Sequence, residues 1–304
     1  MRSSEGSLLN LSGQKKSELI RNESARMETT TKIALAKELR VSRSSLYYKP
    51  RLPDKDLRLK AAIEKVWEGP DGFPEYGHKR LSIELGVNKK RVIRVMKHFD
   101  MKPPRRRLKK PVKPDDQNQQ PAPYPNLIKG LCPTAPGVVW VADFTYIPFQ
   151  GNFLFLATVI DLFTREVVGW HVLSVHTTAL IAGAFEDAQK RSVHLPLFHH
   201  SDQGSEYTEL EHLKRITGLG ITVSMSKKAS PWENGTQESY FSNFKLELGD
   251  INRFETKGEL IAEIHRLINR YNTKRIHTSL GMSPLKFAEH FYQKRAPQSS
   301  EAVC

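Results

Sequence analysis

Three apolar runs separated only by tight turns, then alternating helical and apolar stretches, limit the possible fold more than any other feature of this chain. Val138–Phe149, Phe153–Ile160 and Glu166–Val172 each carry the β-branched and aromatic residues that suit a pleated, half-buried surface. Gln150-Gly151-Asn152 and Asp161–Arg165 leave room only for turns, so the three strands are expected to run antiparallel in sequence order. Ala179–Gln189 then reads as a helix, Leu197–His200 as a strand, Leu210–Ile216 as a helix and Ile221–Ser224 as a strand. A long helix starts near Trp232 or Asn234 and reaches about Leu248. The order βββαβαβα predicts a mixed five-stranded sheet covered by helices, an α/β class. Helix Lys257–Asn272, a loop over Lys274–Ser283 and a helix over Pro284–Gln293, with proline at its first position, complete the pattern.

Three carboxylates stand at informative places in that scheme. Asp143 interrupts the first apolar run, Asp202 lies where a short strand meets a glycine-bearing turn, and Glu238 opens the long helix. Such oxygen donors suit hard cations such as Mg²⁺, and two such ions can serve phosphoryl transfer. Glu238, Ser242 and Lys245 recur at i, i+4 and i+7 and so share one helix face, beside an apolar face of Phe241, Phe244 and Leu248. Asp161 is read instead as a turn cap paired with Arg165. Glu186 and Asp187 are read as solvated, Trp140 as a packing residue, and His199 and His200 as one core-facing and one cleft-facing residue. A zinc site would need further ligands at suitable spacing, and the serines lack a nucleophile-elbow context. Arg275 and His277 are left open between phosphate contacts and plain surface residues.

Charge divides the chain unevenly. Residues 1–116 hold 29 Lys+Arg against 15 Asp+Glu, whereas residues 117–304 hold 18 of each, so the whole net charge of +14 lies in the N-terminal third. That is the footprint of a polyanion-binding region ahead of a neutral one. Residues 31–100 contain two helix-turn-helix outlines, the second with Gly86 ending one helix and Asn88 capping the next. In that next helix Val92, Val95 and Met96 face inward and leave Lys89, Lys90, Arg91 and Arg94 for DNA. Arg105, Arg106 and Arg107 sit in a basic, Pro-rich stretch that can track a nucleic-acid backbone. The expected organisation is a weakly structured extension (1–30), a helix-turn-helix region (31–100), a linker (101–135), a catalytic core (136–295) and a tail (296–304). Without an apolar leader, a membrane span or a cysteine framework, the expected location is cytoplasmic, at the nucleoid, with no membrane partner.

The motifs Trp140-x-x-Asp143-x-Thr145-x-Ile147, His200-Ser201-Asp202-Gln203-Gly204-Ser205-x-Tyr207 and Asn234-Gly235-x-x-Glu238-Ser239-x-Phe241-x-x-x-Lys245-x-Glu247 resemble the three blocks of bacterial insertion-sequence DDE transposases. Within that group they resemble the second-frame product of the IS-three family, whose core is similar to retroviral integrases. The 35 residues between Asp202 and Glu238 and the segment Tyr271-Asn272-x-x-Arg275-x-His277 fit the same pattern. The resemblance implies an RNase H-like fold and a Mg²⁺- or Mn²⁺-dependent nuclease and strand-transfer activity. Asp143, Asp202 and Glu238 become the catalytic metal ligands, with two ions expected, and Lys245 becomes a contact to terminal DNA. Double-stranded DNA, both terminal inverted repeats and target, is the implied partner, with a homo-oligomer assembled on it and an upstream-frame product as a further partner. Glu233 departs from the aspartate usual before Asn234, and Gly235 from the common alanine. The competing readings are a catalytically idle DNA-binding regulator and an RNase H-like nuclease on RNA–DNA hybrids. The intact acids and Lys245 count against the first, and the tandem helix-turn-helix outlines against the second.

Overall fold

A computed structural model describes residues 34, 37, 52–69, 71–104, 123–227 and 234–295. The first helix-turn-helix outline (apart from Ala34 and Lys37, both helical), Arg105–Arg107, Glu233, most of the N-terminal extension and the C-terminal tail lie outside the described residues. Contacts divide the chain into units Met1–Ala61 and Ala62–Cys304. The second unit therefore begins well upstream of residue 135, where composition places the start of the core.

Helix α1 spans Leu52–Glu68, α2 His78–Glu84 and α3 Lys89–His98. The turn between α2 and α3 is built as its residues dictate: Gly86 takes φ +60°, and the Asn88 side chain accepts from the Lys90 N–H at 2.9 Å. Val92, Val95 and Met96 are buried, which leaves Lys89, Lys90 and Arg94 exposed and Arg91 half-buried.

The sheet holds β1 (Val139–Phe149), β2 (Asn152–Asp161), β3 (Val167–Leu173), β4 (Phe198–Ser201) and β5 (Thr222–Met225) in the order β3-β2-β1-β4-β5. The first three strands are antiparallel neighbours, while β4 lies parallel to β1 and β5 parallel to β4. Helices α4 (Thr178–Arg191), α5 (Ser205–Thr208) and α6 (Leu210–Gly218) join the later strands, followed by α7 (Gly235–Leu248), α8 (Lys257–Thr273) and α9 (Pro284–Arg295). This is the mixed, helix-flanked, five-stranded sheet expected of an RNase H-like core.

Strand alternation splits the core into two layers. Val139, Val141, Ile147, Leu154, Leu156 and Ile160 pack with Tyr240, Phe241, Phe244 and Leu248 of α7 and with Leu260, Ile264, Leu267 and Ile268 of α8. Trp140, Ala142, Ala157 and Val159 face the other way, against Leu180, Ile181, Ala184 and Phe185 of α4. Gly169 of β3 touches α4 so closely that a Cβ there would stand 2.3 Å from the Ala184 carbonyl, so only glycine fits. Among the described residues, no helix is long and apolar enough to cross a membrane.

Candidate active site

Sheet register brings two of the three acids together. In the parallel pair, Val141 of β1 lies beside His200 of β4. Asp143 and Asp202 each come two residues later, so both stand at the carboxyl end of that strand pair, the usual place for a site in an open α/β sheet. Asp202 is fixed by its own turn, its Oδ1 accepting from the Gly204 N–H at 2.9 Å. The Asp143 Oδ1 accepts from the Phe144 N–H at 2.8 Å.

The third acid arrives on α7, and the residue before it explains how. Gln237 is fully buried. Its Nε2 donates to the carbonyls of Val141 (2.7 Å) and Thr158 (3.1 Å), and its Oε1 accepts from the Thr158 hydroxyl at 3.0 Å. Thr158 is the cross-strand partner of Asp143. The start of α7 is thus pinned to the sheet at the level of Asp143, and Glu238 follows, exposed to solvent. Gln237 was missed in the sequence, although a signal was present: Gln237, Phe241, Phe244 and Leu248 recur at i, i+4, i+7 and i+11, the buried stripe of the helix.

Asp143 and Glu238 line one cleft of about 850 Å³, together with Ser239, Ser242 and Asn243. Burial, then the charge of Asp202, and finally that of Glu238 push the Asp143 carboxyl up to about 7, opposed by the Phe144 N–H. Three carboxylates offer the hard oxygen donors that Mg²⁺ or Mn²⁺ takes, so the donor chemistry fits such an ion. Among the described residues, no three acidic, histidine or cysteine side chains are grouped closely enough to enclose one.

Comparison with known proteins decides the family. Two family models, each described as an integrase core domain, match residues 133–231 and 219–284. The transposase for insertion sequence element IS904 of Lactococcus lactis subsp. lactis is 39% identical over 55% of this chain and 67% of its own length. The 31 kDa protein of insertion element IS600 of Shigella sonnei is 33% identical over 73% of this chain and 84% of its own. The chain belongs to the insertion-sequence transposases. Among solved structures it is similar to the HTLV-2 integrase catalytic core domain in complex with magnesium. That match has a TM-score of 0.44 and 18% identity, and covers 51% of this chain and 98% of that one. Transposases, as the matched relative is named, act on DNA as polynucleotidyl transferases.

The remaining candidates of the transposase fall into place differently from one another. Lys245 is half-buried on α7 with its Nζ 4.7 Å from the Tyr146 ring centroid. Asp161 caps its turn through the N–H groups of Phe163 and Thr164, and its Oδ2 accepts from the Gly137 N–H at 2.7 Å. It does not pair with Arg165, whose guanidinium donates to the Thr236 hydroxyl at 2.8 Å and so ties the β2–β3 turn to the start of α7. Glu186 and Asp187 are not merely solvated: they pair with Arg215 (2.6 Å) and Arg191 (2.8 Å). His199 and His200 are both buried, neither facing the cleft, because β4 lies between β1 and β5 and is covered on both faces. Trp140 is a packing residue, set edge-on to Phe185.

Arg275 is neither a phosphate contact nor a surface residue. It is 2% exposed, and its Nε lies 2.5 Å from Glu247 Oε1 and 3.4 Å from Glu75 Oε1. Nearby, the Tyr76 hydroxyl accepts from the Ile276 N–H at 2.7 Å and Arg80 Nε donates to the Ile276 carbonyl at 2.9 Å. These contacts fasten the segment before α2 and α2 itself to α7 and to the loop after α8.

Proposed function

We propose that this transposase cuts the 3′ ends of an insertion element and joins them to target DNA, with Asp143, Asp202 and Glu238 as its catalytic carboxylates. The observation that supports this best is the meeting of Asp143 and Asp202 at the carboxyl end of the β1–β4 pair, with Glu238 lining the same cleft as Asp143. A half-buried acid pushed up to about 7 by burial and by two neighbouring acids is costly, and a cation relieves the cost. The three carboxylates would hold Mg²⁺ or Mn²⁺, expected as two ions. When bound, such ions supply positive charge to the attacking and leaving oxygens of a phosphodiester.

The chain's own residues contribute position and charge. Gln237 holds Glu238 at the level of Asp143, and the turn at Gly204 fixes Asp202. Lys245, on the same helix as Glu238, is assigned to the terminal DNA. Lys89, Lys90, Arg91 and Arg94 of α3, with Arg105, Arg106 and Arg107 beyond it, are assigned to the DNA backbone. In cutting, a water oxygen displaces the 3′ oxygen from phosphorus. In joining, the freed 3′-OH displaces a 3′ oxygen of the target, so no protein–DNA bond forms. Residues 31–100 are taken as the DNA-binding region, 101–135 as a linker and 136–295 as the catalytic core, working as a homo-oligomer on DNA in the bacterial cytoplasm.

The test is Mg²⁺-dependent cutting and joining of oligonucleotides that carry the element's ends. Asp143→Asn, Asp202→Asn and Glu238→Gln should each lower the rate at least about 10²- to 10³-fold, as expected for loss of a preorganised charge. Undiminished activity in any of the three would overturn the assignment of that residue. Lys89→Ala and Arg94→Ala should weaken binding across all sequences and flatten its salt dependence by roughly one unit each.

A further inference from the structure

The sheet face opposite Asp143 carries an aromatic patch that the proposed chemistry does not use. Helix α4 covers one end of that face, over Trp140, Ala142, Ala157 and Val159. Toward the β1–β2 turn the same face continues as Phe144, Tyr146, Phe153 and Phe155. There Tyr146 is 56% exposed and Phe153 48%. The rings form a continuous track: Tyr146 stands edge-on to Phe153 with centroids 5.6 Å apart, and Phe153 lies 6.3 Å from Phe155. Phe155 stacks on His176 at 5.3 Å, and His176 meets Phe144 at 4.3 Å. Core formation does not require two half-bare aromatic rings side by side, and a patch of this kind marks a contact surface.

Its rim shows what it contacts. Strand β4 pairs with β1 only over Val139–Val141, so from Asp143 onward that edge of β1 carries no strand among the described residues. At this edge the ammonium of Lys245, from the helix that bears Glu238, lies over the Tyr146 ring. An aromatic surface with a cation at its rim is complementary to a nucleobase and its phosphate. Although Tyr146 points to the other face from Asp143, Lys245 from the Asp143 side reaches its ring round the open edge of β1. Tyr146 comes three residues after Asp143, roughly 10 Å along the strand at about 3.3 Å per residue. That is about three nucleotide rises at ~3.4 Å each.

We propose that Tyr146 and Phe153 form a platform for an unpaired base of the DNA strand held at the carboxylates, the base stacked on one ring and edge-on to the other, with Lys245 against a neighbouring phosphate. A paired base keeps both faces in its own stack, so the platform requires the DNA to open within about three nucleotides of the cut. The proposal rests on the transposase reading of the carboxylates but is tested apart from it.

The full chain is titrated onto a forked duplex whose last few nucleotides, about three, are unpaired and include 2-aminopurine, and onto its fully paired counterpart. Binding should quench the fork's fluorescence. Tyr146→Ala and Phe153→Ala should restore the emission and weaken fork binding roughly 5- to 150-fold, leaving affinity for the paired duplex unchanged. Tyr146→Trp should keep the quench. Both side chains are exposed, so unchanged melting curves are expected and serve as the folding control. An unquenched fork, equal weakening on paired and forked DNA, or lost self-association with fork binding intact would each overturn the platform; the last would assign the face to a second copy. If the native chain cuts DNA while quenching ignores Tyr146, the platform fails and the catalytic reading stands. If quenching responds to Tyr146 while cutting survives Asp143→Asn, the reverse holds.

Discussion

Helix α7 ends in two clusters of carboxylates that differ in kind. At its start Glu238 joins Asp143 and Asp202, all of one sign. Toward its end Glu247 joins Arg275 and Glu75, where the signs alternate. Both clusters contain an acid pushed up to about 7, yet the causes differ. At Asp143 burial acts first and the charges of Asp202 and Glu238 add to it. At Glu247 burial again acts first, but the Arg275 guanidinium pulls the other way, while Glu75 raises it. A raised carboxyl is therefore no signature of catalysis by itself. The sign of its neighbours separates a cluster that awaits a cation from one that already contains its own.

The sharpest way to break this comparison is to remove the internal cation. Arg275→Met leaves Glu75 and Glu247 buried without their partner, a change that costs roughly 3–5 kcal/mol. At about 2–4 °C per kcal/mol for a unit of this size, the melting temperature should fall by roughly 6–20 °C. Thermal unfolding at pH 7 checks this, and a melting temperature within a degree of the native chain would show that the second cluster is not structural. A smaller effect is expected from Gln237→Ala, which strips hydrogen bonds from two buried carbonyls and a hydroxyl. The expected loss is about 1–3 kcal/mol. Because the variant also frees Glu238 from the level of Asp143, strand cutting should drop well beyond the fraction unfolded. Activity that merely tracks stability would reduce Gln237 to a packing residue.

Legibility in the sequence followed the range of the interaction. The five strands, the start of α9 at Pro284, the Asn88 cap and the buried face of α7 are set by residues within a few positions of one another, and their periodicity shows them. The acids could be located on strands and a helix for the same reason. What periodicity could not show was the parallel register that sets Asp202 beside Asp143, because it joins segments about sixty residues apart. The Arg275 cluster draws on residues 75, 247 and 275, so a buried cation there could be read only as a surface or phosphate-binding one. The same region ties residues 75–80 to α7 and the loop after α8, although charge and proline content change much later in the chain. The expectation that one of His199 and His200 faces the cleft fails for a related reason: a central parallel strand has no solvent face to which an alternating residue can turn.

A third acidic pair tests the comparison with the smallest effect. Glu166 and Asp161 flank the β2–β3 turn, beside a small cavity of about 230 Å³ that Arg191 also lines. Burial, then the Asp161 charge, pushes the Glu166 carboxyl up to about 7, with Arg191 opposing. Here are two like-signed acids away from the cleft, and because the nearby Arg191 is already paired with Asp187, neighbour sign alone would promote them to a site. The difference is that Asp161 already accepts four hydrogen bonds, three at Oδ1 from Phe163 and Thr164 and one at Oδ2 from Gly137. The cluster is then only a penalty, and linkage gives its pH dependence. A carboxyl raised in the folded state contributes stability that is fully present below about 4.5 and is lost as pH rises through about 7. Glu166→Gln removes that loss, so the variant should match the native chain near pH 4 and exceed it above pH 7. An advantage of about 1–2 kcal/mol is expected, a few degrees in melting temperature. DNA cutting should be unchanged, whereas any loss of it would make this pair a second functional cluster and would show that neighbour sign is not enough to tell the two kinds apart.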